Sequence, residues 1–165
     1  MKGHDHDVSC VEFMPDGGHL VSCSRDKTIR MWDINTGFCI RTLNVNEEGH
    51  SSWIKVVCVN SKGTFLASGS EDENVVVWDL TVNPKQNAIA NILTEHTNRI
   101  DTVVFANNEA CKIIESADYN SIAKGGIIDP TAENEAPETT VPATMEEKKV
   151  SDVRARVALK RSKNK

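Results

Sequence analysis

Apolar and polar residues alternate along the first half of the chain in short runs broken by turn residues. From Val8 to Met14 the period is two, with Val11 and Phe13 on one face. Successive side chains of an extended strand point to opposite faces, so this period predicts a half-buried β-strand. Pro15-Asp16-Gly17-Gly18 then reads as a turn, because proline presets φ and glycine allows it to be positive. A second strand is predicted from His19 to Ser24, a third from Thr28 to Ile34 and a fourth from Phe38 to Val45, separated by the turns Arg25-Asp26-Lys27 and Asn35-Thr36-Gly37. The same succession follows over Trp53 to Asn60, Phe65 to Ser70, Asn74 to Leu80 and about Ala88 to Leu93. Ser61-Lys62-Gly63 is its first turn, and its last connection, Thr81 to Asn87, is a longer loop containing Pro84.

The succession is a repeat with a constant offset. Gly3-His4 returns as Gly49-His50, Gly17 as Gly63, Ser22 as Ser68, Ser24 as Ser70, Asp26 as Asp72 and Trp32 as Trp78, each 46 residues on. A further step of 46 takes His50 to His96, Val57 to Val103, Ser70 to Ser116 and Asp72 to Asp118, but Trp78 to Lys124. Four antiparallel strands in each unit describe a propeller blade. The expected architecture is all-β: two complete four-stranded blades over 3–48 and 49–94, and part of a third over 95–120.

Gly-His, strand-turn-strand, Ser-x-Asp and Trp-Asp, in that order, resemble the WD-repeat family of β-propellers over residues 3–120. More particularly, H-D-H-x-V-S-x-V-x-x-M-P, S-R-D-K-T-I-x-M-W and T-G-x-C, followed by G-H-x-x-W and G-T-x-x-A-S-x-S-x-D, resemble the lissencephaly-1 family. That resemblance implies a regulator of cytoplasmic dynein and a seven-bladed propeller behind a dimerising helical segment. It also implies a non-catalytic subunit of an acetylhydrolase that acts on platelet-activating factor. The implied location is cytoplasmic, at the cytoskeleton or centrosome. The helical segment is not expected in this chain, and the third unit lacks its Trp-Asp strand. Propellers close with about 4–8 blades, so this chain is not expected to close a ring alone, and its open blade edges favour self-association.

In the family a His, a Ser or Thr, an Asp and the Trp indole form a hydrogen-bonded chain that locks each blade. Here its members are His4, Asp26 and Trp32, then His50, Asp72 and Trp78, with Ser22 or Ser24 and Ser68 or Ser70 as the hydroxyl. A buried indole N–H, hydroxyl, imidazole and carboxylate satisfy one another, so the role is structural. For partner contacts the candidates are Arg25, in the turn before Asp26, Trp53, and Lys55 two residues after it. The resemblance implies that a basic residue at the place of Arg25 meets an acidic partner surface, and that Lys55 stands where the family commonly has Arg, keeping the charge but not the bidentate fork. Trp53 is a candidate because exposed tryptophans often anchor interfaces. Glu71 replaces Arg25 in the second unit, so no continuous basic rim is expected.

Composition narrows the function. The chain of 165 residues carries a net charge of −5 and a pI of about 5.5, which gives no basic field for nucleic acid. No apolar run is long enough to span a membrane, and no signal core opens the chain. Five cysteines at Cys10, Cys23, Cys39, Cys58 and Cys111, without a C-x-x-C pair, are expected as reduced thiols, four of them in apolar runs. No nucleophile, phosphate-loop or dinucleotide motif appears, so neither catalysis nor a cofactor is expected. A metal-dependent hydrolase built on His4-Asp5-His6-Asp7 is the enzyme alternative, but no further ligand set accompanies it, and metal binding is not expected.

From Ser121 the composition shifts to Pro130, Pro137 and Pro142 with interspersed glutamates, the signature of a disordered linker. Thr144-Met145-Glu146-Glu147 reads as a capping box before a short helix over 145–160, and Lys160 to Lys165 is a basic end. The point where the repeat stops suggests a truncated or alternatively spliced product, or a faulty gene model. Two functions compete: an interaction scaffold in dynein and microtubule regulation, and a non-functional partial propeller.

Overall fold

The computed structural model of the chain describes residues 1–44, 48–84, 86, 88–106, 113–120 and 123–127. It folds into three antiparallel sheets. The first is β1 (Val8–Phe13), β2 (His19–Ser24), β3 (Ile29–Asp33) and β4 (Cys39–Leu43), in that spatial order. The second is β5 (Ile54–Val59), β6 (Phe65–Ser70), β7 (Val75–Asp79) and β8 (Ile89–Leu93). In the third, β10 (Ile113–Asp118) lies between β9 (Ile100–Phe105) and β11 (Ala123–Ile127). Each sheet is a meander, the layout that strands joined by short turns adopt most directly.

Turn chemistry and strand pairing agree in detail. Gly17, Gly37 and Gly63 have φ of 69°, 73° and 70°, the left-handed region in which glycine carries no Cβ penalty. Lys27 and Glu73, at matching places in the β2–β3 and β6–β7 turns, also have positive φ. Those turns are held by Asp26, whose Oδ1 accepts from the Thr28 amide at 2.8 Å, and by Asp72, whose Oδ1 accepts from the Asn74 amide at 3.0 Å.

The sheets pack face to face. Val21, Cys23, Ile29 and Leu43 of the first meet Ile54, Val57, Leu66, Val76 and Trp78 of the second. Ala67, Val75 and Val77 on the far face of the second meet Ile100, Val103 and Ile114 of the third. Burial of each large side chain here stabilises by about 1.5–3 kcal/mol. Approach is close enough that a Cβ on Gly69 would stand 2.5 Å from Ile100 Cγ2. The outer face of the first sheet, which corresponds to the near face of the second, is uncovered: Val8, Val11 and Phe13 are 50, 51 and 67 % exposed, whereas Ile54, Val57 and Val59, their counterparts one repeat on, are 0, 2 and 8 % exposed.

The third unit departs from the constant offset. Val103 stands 46 residues after Val57, but its ladder partner Ser116 stands 48 after Ser68, the partner of Val57. Two additional residues therefore enter between β9 and β10. Ser116 occupies the ladder position of Ser68, not that of Ser70, and Asp118 that of Ser70 rather than Asp72. Lys124 faces Ser116 as Val76 faces Ser68, so the place of Trp78 falls to Gly126 instead of Lys124. Strand pairing also continues past Asn120: β11 occupies part of the expected linker. The run Ala123-Lys124-Gly125-Gly126 lacks apolar alternation, and its pairing with β10 is what makes it a strand. The remainder of the expected linker, the 145–160 helix and the basic end lie outside the described residues.

Candidate functional site

The Gly-His entry, the second strand, the following turn and the third strand converge on one hydrogen-bonded chain in each complete blade. In the first, the Trp32 indole N–H donates to Ser22 Oγ at 2.8 Å, and Ser22 lies 2.7 Å from His4 Nε2. His4 Nδ1 lies 2.8 Å from Asp26 Oδ2. One tautomer satisfies every atom: the Ser22 hydroxyl donates to Nε2 and Nδ1–H donates to the carboxylate. The second blade repeats this with Trp78 to Ser68 at 2.8 Å, Ser68 to His50 at 2.7 Å and His50 to Asp72 at 2.9 Å. Ser24 and Ser70 stand outside the chain. Their hydroxyls accept the amides of Asp26 and Asp72 at 3.0 and 3.2 Å, and Ser24 also donates to the His6 carbonyl at 3.3 Å.

Electrostatics follow from these contacts. Burial opposes ionisation of Asp26, but the Thr28 hydroxyl and amide, His4 and the Asp5 amide outweigh it and hold the carboxyl down at about 2. Asp72 is likewise held below its ordinary value against burial, by His50 and the amides of Ser51 and Asn74. In the third blade His96 Nε2 lies 2.8 Å from Ser116 Oγ and Nδ1 3.3 Å from Asp118, with no indole in the chain. Burial pushes the His96 pKa down, and Asp118 opposes that only in part.

Of the four residues of the enzyme alternative, His4 is committed to the blade's hydrogen-bonded chain. Both His4 nitrogens are engaged inside the blade, and His6 is exposed with only Asp7 beside it at 3.4 Å. Among the described residues no group of three or more His, Cys, Asp or Glu side chains is placed to hold a metal ion.

Arg25, Trp53 and Lys55 come together at the junction of the first two blades. The Arg25 guanidinium lies 5.2 Å from the Trp53 ring centroid and the Lys55 ammonium 4.0 Å from it. Trp53 is half-buried, its indole N–H donating to Ser9 Oγ. Two cations over one indole are each worth about 0.5–1 kcal/mol at an exposed site; Arg25 is exposed, and Trp53 and Lys55 are partly buried.

Sequence reasoning missed a related pair. The Arg25 amide donates to the Asp7 carbonyl, Glu71 to Trp53 and Tyr119 to Arg99, at 2.9–3.0 Å. These are equivalent ties in the three blades, and at the third the Arg99 guanidinium stacks 4.2 Å from the Tyr119 ring. The offset of 46 from Trp53 leads to Arg99; finding Tyr119 needs the offset of 48. Asn44 was also missed. Buried and at φ 63°, it accepts the Gly49 and His50 amides and donates to the Lys27 and His50 carbonyls at 2.8–3.0 Å, clamping the passage between blades.

Blades in series, the two complete ones each locked by an indole–hydroxyl–imidazole–carboxylate chain, define a WD-repeat protein, and the chain belongs to that family. The family described as "WD domain, G-beta repeat" matches residues 1–33 and 37–79. Among WD-repeat proteins it is akin to the nuclear distribution proteins. It is 34 % identical over 131 residues to nuclear distribution protein PAC1 of Arthroderma otae, covering 74 % of this chain and 25 % of that protein. It is 40 % identical over 108 residues to nuclear distribution protein nudF of Emericella nidulans, covering 64 % of this chain and 22 % of that protein. The chain thus spans about a quarter of the length of these relatives. In fold it is similar to the WD40 repeats of RRP9, with a TM-score of 0.68 at 20 % identity over 77 % of this chain and 37 % of that one. No helix among the described residues is long and apolar enough to cross a membrane.

Proposed function

We propose that the chain is a non-catalytic protein-interaction scaffold that resembles the lissencephaly-1 regulator of cytoplasmic dynein and works in microtubule-based transport. The observation that carries this reading is the Arg25–Trp53–Lys55 cluster, a basic and aromatic patch on an otherwise acidic chain. Such a patch docks an acidic protein surface: Arg25 supplies a planar fork, Lys55 a point charge and Trp53 the rigid platform. Partners are proteins, by resemblance the dynein motor, its adaptors and acetylhydrolase catalytic subunits. The place of action is the cytoplasm, at the cytoskeleton or centrosome. Kinship with proteins named for nuclear distribution supports this assignment.

The test is equilibrium binding to purified dynein motor domain. Arg25→Glu with Lys55→Glu is expected to lower affinity at least about tenfold, a cost of about 1.4 kcal/mol, while circular dichroism stays that of the unmodified chain. Binding that survives the double substitution, or no binding by the unmodified chain, overturns the reading.

A second reading, an unproductive partial propeller, has its own observation in the uncovered Val8, Val11 and Phe13 face. It expects concentration-dependent assembly by light scattering and no dynein binding, whereas the first reading requires binding by the chain at concentrations where it is monomeric.

A further inference from the structure

Cys10 on β1 and Cys23 on β2 are partners across the antiparallel ladder. Directly opposed residues place their Cα atoms about 4.5–5.5 Å apart, inside the roughly 4.4–6.8 Å that a disulfide bridges. The ladder shifts register between Val8 and Cys10, a bulge that the second blade reproduces between Ile54 and Val56. There the equivalent pair is Val56 and Gly69, so two thiols at this ladder position distinguish the first blade from the second. The two residues face each other across the ladder, and both thiols are free. Cys10 is half-buried and its Sγ lies 3.9 Å from the Val57 carbonyl, while Cys23 is fully buried in the interface between the first two sheets. Cys10 is thus the less buried of the two thiols, and Cys23 lies deeper in the same interface.

We infer that Cys10 and Cys23 form a redox pair, with Cys10 attacking a hydroperoxide and Cys23 resolving the product to a cross-strand disulfide. Cys10 thiolate attacks the peroxide oxygen; the S–O bond forms, the O–O bond breaks, and hydroxide leaves and is protonated to water. The Cys23 sulfur then attacks the sulfenic sulfur; the S–S bond forms, the S–O bond breaks, and the departing hydroxide takes the Cys23 proton as a second water. Two thiols lose two electrons to one hydrogen peroxide. The asymmetry of the pair suits these roles. The Cys23 hydrogen bond brings the Cys10 thiol down to about 6 despite burial, whereas Cys10 and burial push Cys23 well up, so the thiolate that reacts is the less buried of the two. Glu12 on β1 opposes the lowering at Cys10, and Asp26 in the next turn adds to the raising at Cys23. The disulfide would join the strands that present Ser9, which accepts from Trp53, and Arg25.

The chain offers a clean readout. Gly3 to Arg25 is a single tryptic peptide that contains both cysteines and none of the other three. After treatment of the folded chain with stoichiometric hydrogen peroxide, this peptide is expected two hydrogens lighter and closed to alkylation, and reduction restores both thiols. In Cys23→Ala a dimedone adduct is expected on Cys10, since the resolving thiol is gone; in Cys10→Ser the peptide is expected to stay reduced. The inference fails if the unmodified peptide remains fully alkylatable, or if Cys10 is found instead as a sulfinic acid or joined to Cys39, Cys58 or Cys111. The first measurement uses the unmodified chain, so it decides the matter even where a variant does not fold.

Discussion

Replacing Ser22 by alanine removes the hub of the first blade's hydrogen-bonded chain. Its oxygen accepts from Trp32 at 2.8 Å and its proton goes to His4 Nε2 at 2.7 Å, with Ser22 and Trp32 both 3 % exposed. Water cannot take the place of the lost hydroxyl without a site to occupy, so an indole N–H and an imidazole nitrogen are both orphaned. Each orphan costs about 1–3 kcal/mol, and Ser22→Ala is expected to destabilise by about 3 kcal/mol. Ser24→Ala should cost about 1 kcal/mol, because the Asp26 amide and His6 carbonyl it serves lie near solvent. A cycle with Trp32→Phe, which removes the N–H, isolates the contact: the double variant should recover about 1–2 kcal/mol relative to additivity. Urea unfolding followed by far-ultraviolet circular dichroism keeps the readout independent of the missing indole. With an m-value of about 2 kcal/mol/M, the Ser22→Ala midpoint falls by about 1.5 M. A larger loss at Ser24 than at Ser22, or a coupling energy of zero, refutes the assignment of Ser22 as hub.

Two further outcomes follow from the same geometry. Asp26 and Asp72 are depressed in the folded chain, so the unfolded chain binds protons first as pH falls. The stability they contribute is complete above the ordinary carboxyl range and is lost as pH drops through about 4 to 2, worth about 2 kcal/mol for Asp26. His96, also depressed, begins the loss earlier, just below about pH 6.5. Urea midpoints measured against pH should show both declines, and Asp26→Asn should flatten the lower one; a profile level from neutrality to about pH 3 contradicts the argument. Gly49→Ala would place a Cβ 2.7 Å from the Trp78 ring and 3.3 Å from Asn44 Oδ1, with an expected cost of about 1–3 kcal/mol. Gly18→Ala, where the nearest atom is Asp16 Oδ1 at 3.9 Å, serves as the tolerant control in the same urea unfolding measurement.

Much of this architecture is legible in the sequence because each unit writes its turns in glycine and its faces in alternation. The eight strands of the first two blades fall within the predicted runs, with ends trimmed by a residue or so. What the pattern could not decide was the serine of each hydrogen-bonded chain. Ser22 and Ser24 lie two apart on one strand and so share a face; only their placement relative to Trp32 and the turn distinguishes them. The third blade hid its register for a different reason. Two extra residues before β10 move Ser116 and Asp118 to new ladder positions while leaving the residue identities at an offset of 46 intact, so matching letters pointed to the wrong equivalence. Arg25, Trp53 and Lys55 could be named but not assembled, since their meeting depends on how the first blade sits against the second. Asn44 looked like the end of a strand; its left-handed backbone, its three hydrogen bonds to Gly49 and His50 across the blade junction and its fourth to Lys27 belong to tertiary structure alone.

The hydrogen-bonded chain of each blade also bears on the order in which the protein forms. Its members lie 10, 18 and 22 residues apart in the first blade and again in the second. The closure is local, with a low loop-entropy cost and a low contact order. Each sheet packs through its early strands on the next, β1 and β2 on β5, then β5 and β6 on β9. A nearest-neighbour series of this kind grows by addition, so a nascent chain can complete and lock its first blade before the second has been synthesised. The third blade, without an indole to close its circuit, would be the last to set and the first to fray.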